Sequence, residues 1–380
     1  MSTALLRCAL GDLPILAGSL RLPTGRPWLG VVDVHATAEL PALSPASIVL
    51  TRENKAEDLF VGTVRKNALN DGRAQLSVTV VAGKGLLARS IGPRDHAKGT
   101  TEIPAGLLAR GIVTDAGEQL APGVEAALDA LTVPHWHRVA GPGSAALDVL
   151  VSFLGLVWRM LPDGLVWVGV GAGAPGPDLR RLGFNLEDGG RRYGPDGGQV
   201  LPGQILESRK LVDVVYHLGG PLRAEARASV AGDAAHAPDV ELYRRTWSAR
   251  VVSQDATTGL LDLVCDDARL GELRGIPLRC GIPGARVFYQ APAGERVRLA
   301  FDGADPRLPY AEDCDQTGAP VHGVARVGDA TDSGTLEGLA NLNTGVVTFS
   351  YTPPGGSRAQ VVTVHLGGRI TTGSPEVQIR

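Results

Sequence analysis

Cysteine is scarce in this sequence. Its four cysteines, Cys8, Cys265, Cys280 and Cys314, lie far apart, with no C-x-x-C pair and no metal-type spacing. Nothing in that spacing points to a cysteine-based metal site, and buried free thiols packed as small hydrophobes are expected. Aromatic residues make up only 4% of the chain, too few for the stacking platforms that bind single strands or glycans. Lys+Arg 37 stand against Asp+Glu 40 with neither sign gathered into a block, so the footprint for gripping phosphates is missing and no specific nucleic acid is expected as a partner. No run approaches the ~18 apolar residues of a membrane span. The opening residues, MSTALLRCALGDLPILAGSL, are interrupted by Arg7, Asp12 and Pro14 and lack the pattern of a secretory signal. The expectation is a soluble protein assembled in the cytoplasm.

What is present is glycine, proline and short apolar alternation. With 380 residues, two to three domains are expected, and Gly 50 and Pro 26 punctuate many short strands, so the fold class is mainly β. Residues 28–90 alternate as half-buried strands do, and Asn70-Asp71-Gly72 offers the positive-φ residues of a tight hairpin. The rhythm then turns helical: Pro104 occupies an early helical position before Leu107, Leu108, Ile112 and Val113. A second helix spans GSAALDVLVSFLG, with Ser144 as N-cap and Gly155 as terminator, and its nearly all-round apolar surface predicts burial. Pro162-Asp163-Gly164 then joins two strands carrying Trp158 and Trp167. Strand patterns run on to residue 225, and the Ala-rich stretch 226–240 reads as a linker.

Few residues suggest chemistry. Gly171, Gly173 and Gly176 match G-x-G-x-x-G after a strand, but Pro175 and Pro177 stand where the phosphate-binding helix must begin, so a Gly-rich turn is the better reading. His135 and His137, two apart on a strand, send both imidazoles to one side, a geometry a metal could use, yet no further ligand stands at suitable spacing. Asp266-Asp267 and Glu312-Asp313 are adjacent pairs that face opposite sides of a strand and cannot flank one bond. Without a G-x-S-x-G, a Ser/His/Asp context or a P-loop, no catalytic, cofactor-binding or metal residue is assigned, and the chain is expected not to be an enzyme.

Three stretches carry a family resemblance. Tyr243 to Trp247, then ARVVSQD, GLLDLV, IPLRCGIPGARV, Gly294-Glu295-Arg296-Val297 and Gly303-x-Asp305-Pro306-x-x-Pro309 resemble the oligonucleotide/oligosaccharide-binding (OB) barrel of contractile-tail spikes, baseplate assembly protein V and the type VI secretion spike. Upstream, SAALDVLVSFLG and the WRMLPDGLVWVG hairpin resemble the late-control-D-type tail hub. Downstream, Arg326-Val327-Gly328-Asp329 and Gly373-Ser374-Pro375-x-Val377 resemble the terminal segment of phage spikes and PAAR-type tips. The His-x-His pair that fixes iron at some spike apices is missing there, and His365 is the one metal candidate left.

The resemblance implies two hub β-barrels with a small α/β insertion, an OB-fold barrel and a C-terminal β spike tip. The corresponding limits are 1–90 (first hub barrel), 91–163 (insertion), 164–225 (second hub barrel), 226–240 (linker), 241–314 (OB barrel) and 315–380 (tip). It implies a virion baseplate or phage-like injection particle in which a homotrimer caps the tail tube. Its partners there would be the tail tube protein, baseplate wedge proteins, the tape-measure protein and, at the tip, the host cell envelope. Only about a dozen residues, near Asp313 to Val324, lie between the segments that resemble barrel and tip, far short of the ~50 of a domain, so no cell-wall hydrolase is encoded there. The alternatives are an OB-type glycan- or oligonucleotide-binding module and a peptidoglycan hydrolase.

Overall fold

The computed structural model describes residues 3–52, 55–96, 102–170, 191–195, 200–203, 205–206, 209–220, 223–228, 240–255, 257–279, 286–289, 291, 293–313, 324–331, 334–341, 346–352, 360–365 and 370–372. The chain divides into two compact units. The first holds residues 1–92, 102–133 and 140–240; the second holds 93–101, 134–139 and 241–380. The architecture is mainly β with few helices, as the punctuated alternation predicts.

The first unit is organised by β1 (Thr3–Cys8), β2 (Gly11–Pro23), β3 (Leu29–His35), β4 (Pro45–Arg52), β5 (Lys55–Asn70) and β6 (Gln75–Ala82). They run in the order β1-β4-β5-β6-β3-β2, and β1 pairs with β2, which closes the barrel and leaves no free edge within it. Alternation sets the inside: Val32 and Val34 of β3 and Leu76, Val78 and Val80 of β6 meet Leu6, Leu20, Leu22, Ile48 and Phe60 in a dry core. Each such side chain contributes roughly 1.5–3 kcal/mol by burial. Gly62 sits where a Cβ would lie 2.2 Å from the Val81 carbonyl oxygen, so close strand approach demands glycine there. Beyond β2 the sheet continues through the strands Arg209–Leu218, Arg223–Ala228 and Arg191–Pro195. β2 is thus a shared wall, bonded to β1 by residues 11–14, to β3 by 15–21 and to the extension by 18–23.

The β5–β6 hairpin forms where expected, but its turn differs. Asp71–Arg73 make a single 3-10 turn and the positive φ falls on Ala74, at 45°, not on Asp71 or Gly72. The loop has four residues, and such loops are built on a right-handed turn closed by one left-handed residue.

Three helices follow in the same unit: α1 (Ala105–Ala116), α2 (Val124–Leu128) and α3 (Gly143–Leu154). Pro104 occupies the N-cap of α1, and Leu108, Ile112 and Val113 are buried while Leu107 faces outward. In α3 the N-cap is Pro142 rather than Ser144, because the Ser144 N–H already bonds the Leu87 carbonyl; Gly155, at φ 65°, ends the helix as expected. The strands Leu156–Met160 and Val166–Val170 pair antiparallel through Pro162-Asp163-Gly164, with Gly164 at φ 81°. Trp158 is buried and donates to Asp148. Arg159 lies 5.0 Å from the Trp167 ring and donates to the Pro202 carbonyl. The buried Glu118 carboxylate accepts the N–H groups of Lys84 and Leu86, fixing the exit from β6.

The second unit contains a six-stranded, nearly closed barrel. Its central strand, Trp247–Gln254, pairs on one side with Leu261–Cys265, which pairs with Glu272–Ile276, and on the other with Arg296–Phe301, which pairs with Pro309–Asp313. The segment 272–279 is split. Its first part bonds the second strand, and Leu278–Arg279 pairs parallel with Pro309–Asp313, bringing the sheet round. Ala249, Val251, Leu263, Leu273, Ile276, Val297, Leu299 and Phe301 fill the interior. A separate six-stranded meander holds Arg286–Tyr289, Val324–Thr331, Gly334–Asn341, Val346–Thr352, Gln360–His365 and Ile370–Thr372 in chain order. Arg286–Tyr289, which reads in sequence as part of the barrel, pairs instead with Val324–Thr331 and belongs to the meander.

Candidate functional site

The second unit also contains a two-stranded ribbon, Arg94–His96 paired with Trp136–Arg138, in which Asp95 lies directly opposite His137. Both histidines singled out from the sequence converge on that one carboxylate. His137 Nδ1 donates to Asp95 Oδ1 at 3.1 Å, and His135 Nε2 lies 2.9 Å from the same oxygen, off the line of a well-formed hydrogen bond. The second carboxylate oxygen accepts the Arg274 N–H at 2.9 Å. Side-chain exposure is 6% for Asp95, 10% for His135 and zero for His137. Burial alone would raise the Asp95 carboxyl, but the close polar contacts of His135 and His137 and the attraction of their imidazoles outweigh it and hold it at about 2. Burial likewise pushes the His137 imidazole below its ordinary value, against the attraction of Asp95.

The surroundings hold the ribbon as firmly. The His137 N–H donates to the Pro306 carbonyl at 3.1 Å, and Tyr243 donates its hydroxyl proton to the His137 carbonyl at 3.0 Å while accepting from the Val139 N–H. Phe301 stands edge-on to Tyr243 at 5.1 Å and 5.8 Å from the His137 ring. Burial raises the Tyr243 hydroxyl above its usual range, so it stays a neutral donor. Pro306 belongs to the Gly303-x-Asp305-Pro306 turn, where Asp305 accepts the Arg307 N–H and pairs with its guanidinium at 2.7 Å. Gly303 and Ala304 both take positive φ, near 60°, which explains the glycine at that point of the motif.

The remaining sequence candidates serve the fold. Asp266 accepts from Ser248 and pairs with Arg250, whereas Asp267 is held at about 2 chiefly by its hydrogen bonds from Arg269, so the two neighbours face separate partners. Glu312 sits opposite Arg298 in the strand Pro309–Asp313. Gly294, at φ 89°, donates to Val251 and starts the turn into Arg296–Phe301. Cys265 is buried and Cys8 half-buried. Gly171, Gly173, Gly176, Cys280, Cys314, Gly373, Ser374, Pro375 and residues 229–239 of the linker lie outside the described residues. His365 ends a strand of the meander and pairs in register with Val346. Among the described residues, no group of three or more His, Cys, Asp and Glu is arranged to hold a metal ion, and no helix is long and apolar enough to cross a membrane. Asp95 is the residue sequence reasoning missed. Its signal was the R-D-H run, whose partner strand W-H-R lies some forty residues on.

In the meander, the register sets Phe349 between Gly338 and Val362, and Val347 between Ala340 and Val364. Phe349 is 46% exposed.

No protein-family model matches the sequence, and no curated protein matches it. Solved structures do match. The E. coli c3393 protein, a component of the type VI secretion system with structural similarity to the T4 bacteriophage tail proteins gp27 and gp5, aligns with a TM-score of 0.54 at 14% identity, over 80% of this chain and 98% of its own. The 43 kDa tail protein of prophage MuSo2 from Shewanella oneidensis aligns at 0.45 and 7% identity, over 60% of this chain and 98% of its own. A tail protein from Neisseria meningitidis MC58 aligns at 0.44 and 10% identity, over 61% and 97%. The chain shares the fold of the E. coli c3393 protein.

Proposed function

We propose that this chain is a structural, non-enzymatic component of a contractile tail or injection machine, its central hub and spike, working as a homotrimer. The observation that carries the reading is the order of parts in one chain, a closed barrel with a helical insertion and an extended sheet, then a second barrel, then a meander, together with a fold shared with c3393 over 80% of this chain. On this reading the first unit caps the tail tube, meeting the tube, wedge and tape-measure proteins. The second barrel, whose strand order and parallel closure fit an OB fold, joins hub to spike. The meander forms the tip that meets the cell envelope, and its Phe349 row is buried between copies. Against a ligand-binding role for the second barrel, Phe301 is committed to its core, and Trp247 donates to the Leu242 carbonyl beneath Arg269.

Light scattering on the full chain tests the proposal. Three times the chain mass is expected, falling to a smaller species for Phe349→Asp; a stable monomer of the unaltered chain at micromolar concentration overturns it.

A further inference from the structure

The division of the molecule gives the ribbon a particular position. The chain passes between the two units after residues 92, 101, 133, 139 and 240, and four of those five passages bracket the ribbon segments 93–101 and 134–139. Whatever holds the ribbon in the second unit therefore decides whether the units are joined by five chain passages or, in effect, by the one at 240. Hydrophobic packing supplies part of the hold: Trp136 is buried, and a Cβ on Gly271 would lie 2.8 Å from the Pro93 ring. The polar part centres on Asp95.

We propose that Asp95, His135 and His137 form an acid-sensitive clamp that keeps the ribbon in the second unit and loosens as the buried His137 imidazole takes up a proton. The inference goes beyond the hub-and-spike reading and does not rest on it. With both rings neutral, each presents a nitrogen to Asp95 Oδ1, and the arrangement carries a single negative charge. His137 then has its other nitrogen, Nε2, buried without a well-formed hydrogen bond, helped only weakly by the Leu270 carbonyl. A proton added at Nε2 places a charged donor on a buried nitrogen that lacks a well-formed hydrogen bond, in a ring 5.8 Å from Phe301.

Among the described residues, the contacts of the other charged groups near the clamp add no carboxylate to it. Arg94, His96 and Arg138 on the ribbon itself add only positive charge, or none. Tyr243, from the helix Glu241–Arg244, is neutral. The strand Glu272–Ile276 offers a backbone N–H from Arg274, whose guanidinium pairs outside with Glu272. Asp305, on the turn from the barrel, is engaged by Arg307. The sign follows from the lowered affinity of His137 for a proton: opening binds a proton that the closed clamp refuses, so the closed state is favoured above the ordinary histidine value of 6.5 and loses ground as pH falls below it.

Hydrogen exchange on the full chain, read at peptides covering 134–140 and 272–275 and corrected for the intrinsic chemistry, tests the clamp. Opening is expected to rise about tenfold for each pH unit below the histidine range, one proton's worth, while peptides of α1 stay level. His137→Phe, which retains a ring against Phe301 and the backbone bonds, is expected to flatten that slope. A slope absent in the unaltered chain, or unchanged in the variant, overturns the proposal. Should the variant not fold, histidine-labelled NMR of the unaltered chain decides: His137 must remain neutral through pH 6, and a protonated ring at pH 7 overturns the clamp.

Discussion

The two barrels solve the same closure problem with different means. The first closes by a long antiparallel pairing, β1 on β2, around a core of aliphatic side chains and Phe60. The second closes by a two-residue parallel pairing, and its unit takes up a ribbon held by a buried carboxylate, two imidazoles and a tyrosine hydroxyl. Apolar burial has no titrating group, so the first barrel should be indifferent to pH across the physiological range, whereas the second unit's stability should follow it. Closure by side-chain volume is robust. A ribbon held by polar pins is conditional.

That contrast can be broken at either end. The largest effect is expected for Phe60→Ala, which empties a fully buried aromatic site in the first barrel and should cost about 3–5 kcal/mol, equally at pH 5 and pH 8 by chemical denaturation. Asp95→Asn comes next, at about 1.5–3 kcal/mol for the charged hydrogen bonds it removes. The Asp95 carboxyl is held at about 2 against an ordinary 3.8, so its own protonation adds a further loss as pH falls from about 4 toward 2, below the range in which His137 acts; the variant should lack that lower limb in a stability–pH profile. A Phe60→Ala loss that varied with pH would erase the distinction between the barrels, as would an Asp95→Asn profile parallel to the parent's. The smallest effect belongs to Asp267→Asn. Its carboxylate is also held at about 2, but on an exposed turn screened by water, and thermal unfolding should be unchanged.

Much of the first barrel was legible because its information is local. Alternation in β3 and β6 names the inward residues directly, and Pro162-Asp163-Gly164 marks a hairpin by its own chemistry. The turn at residues 70–74 shows the limit of such reading. Asn-Asp-Gly announces a hairpin, but loop length selects the turn, and length depends on where pairing ends, here Asn70 with Gln75. Ser144 was outcompeted as a cap by a bond to Leu87 that no sequence pattern announces. The histidine pair was visible as two rings on one side, yet its partner carboxylate stands on a strand brought alongside only by the fold. What the rings do was therefore out of reach until Asp95 was placed.

The wall shared by β2 carries a last implication for how this protein can change. Side chains along a strand alternate between faces, so sliding β2 by a single position would swap inner for outer along three neighbours at once. Insertions or deletions within residues 11–23 should therefore be nearly forbidden to evolution, while loops elsewhere drift. In a gene pool of distant cousins, that thirteen-residue span is where length would be kept longest after every recognisable letter had been replaced.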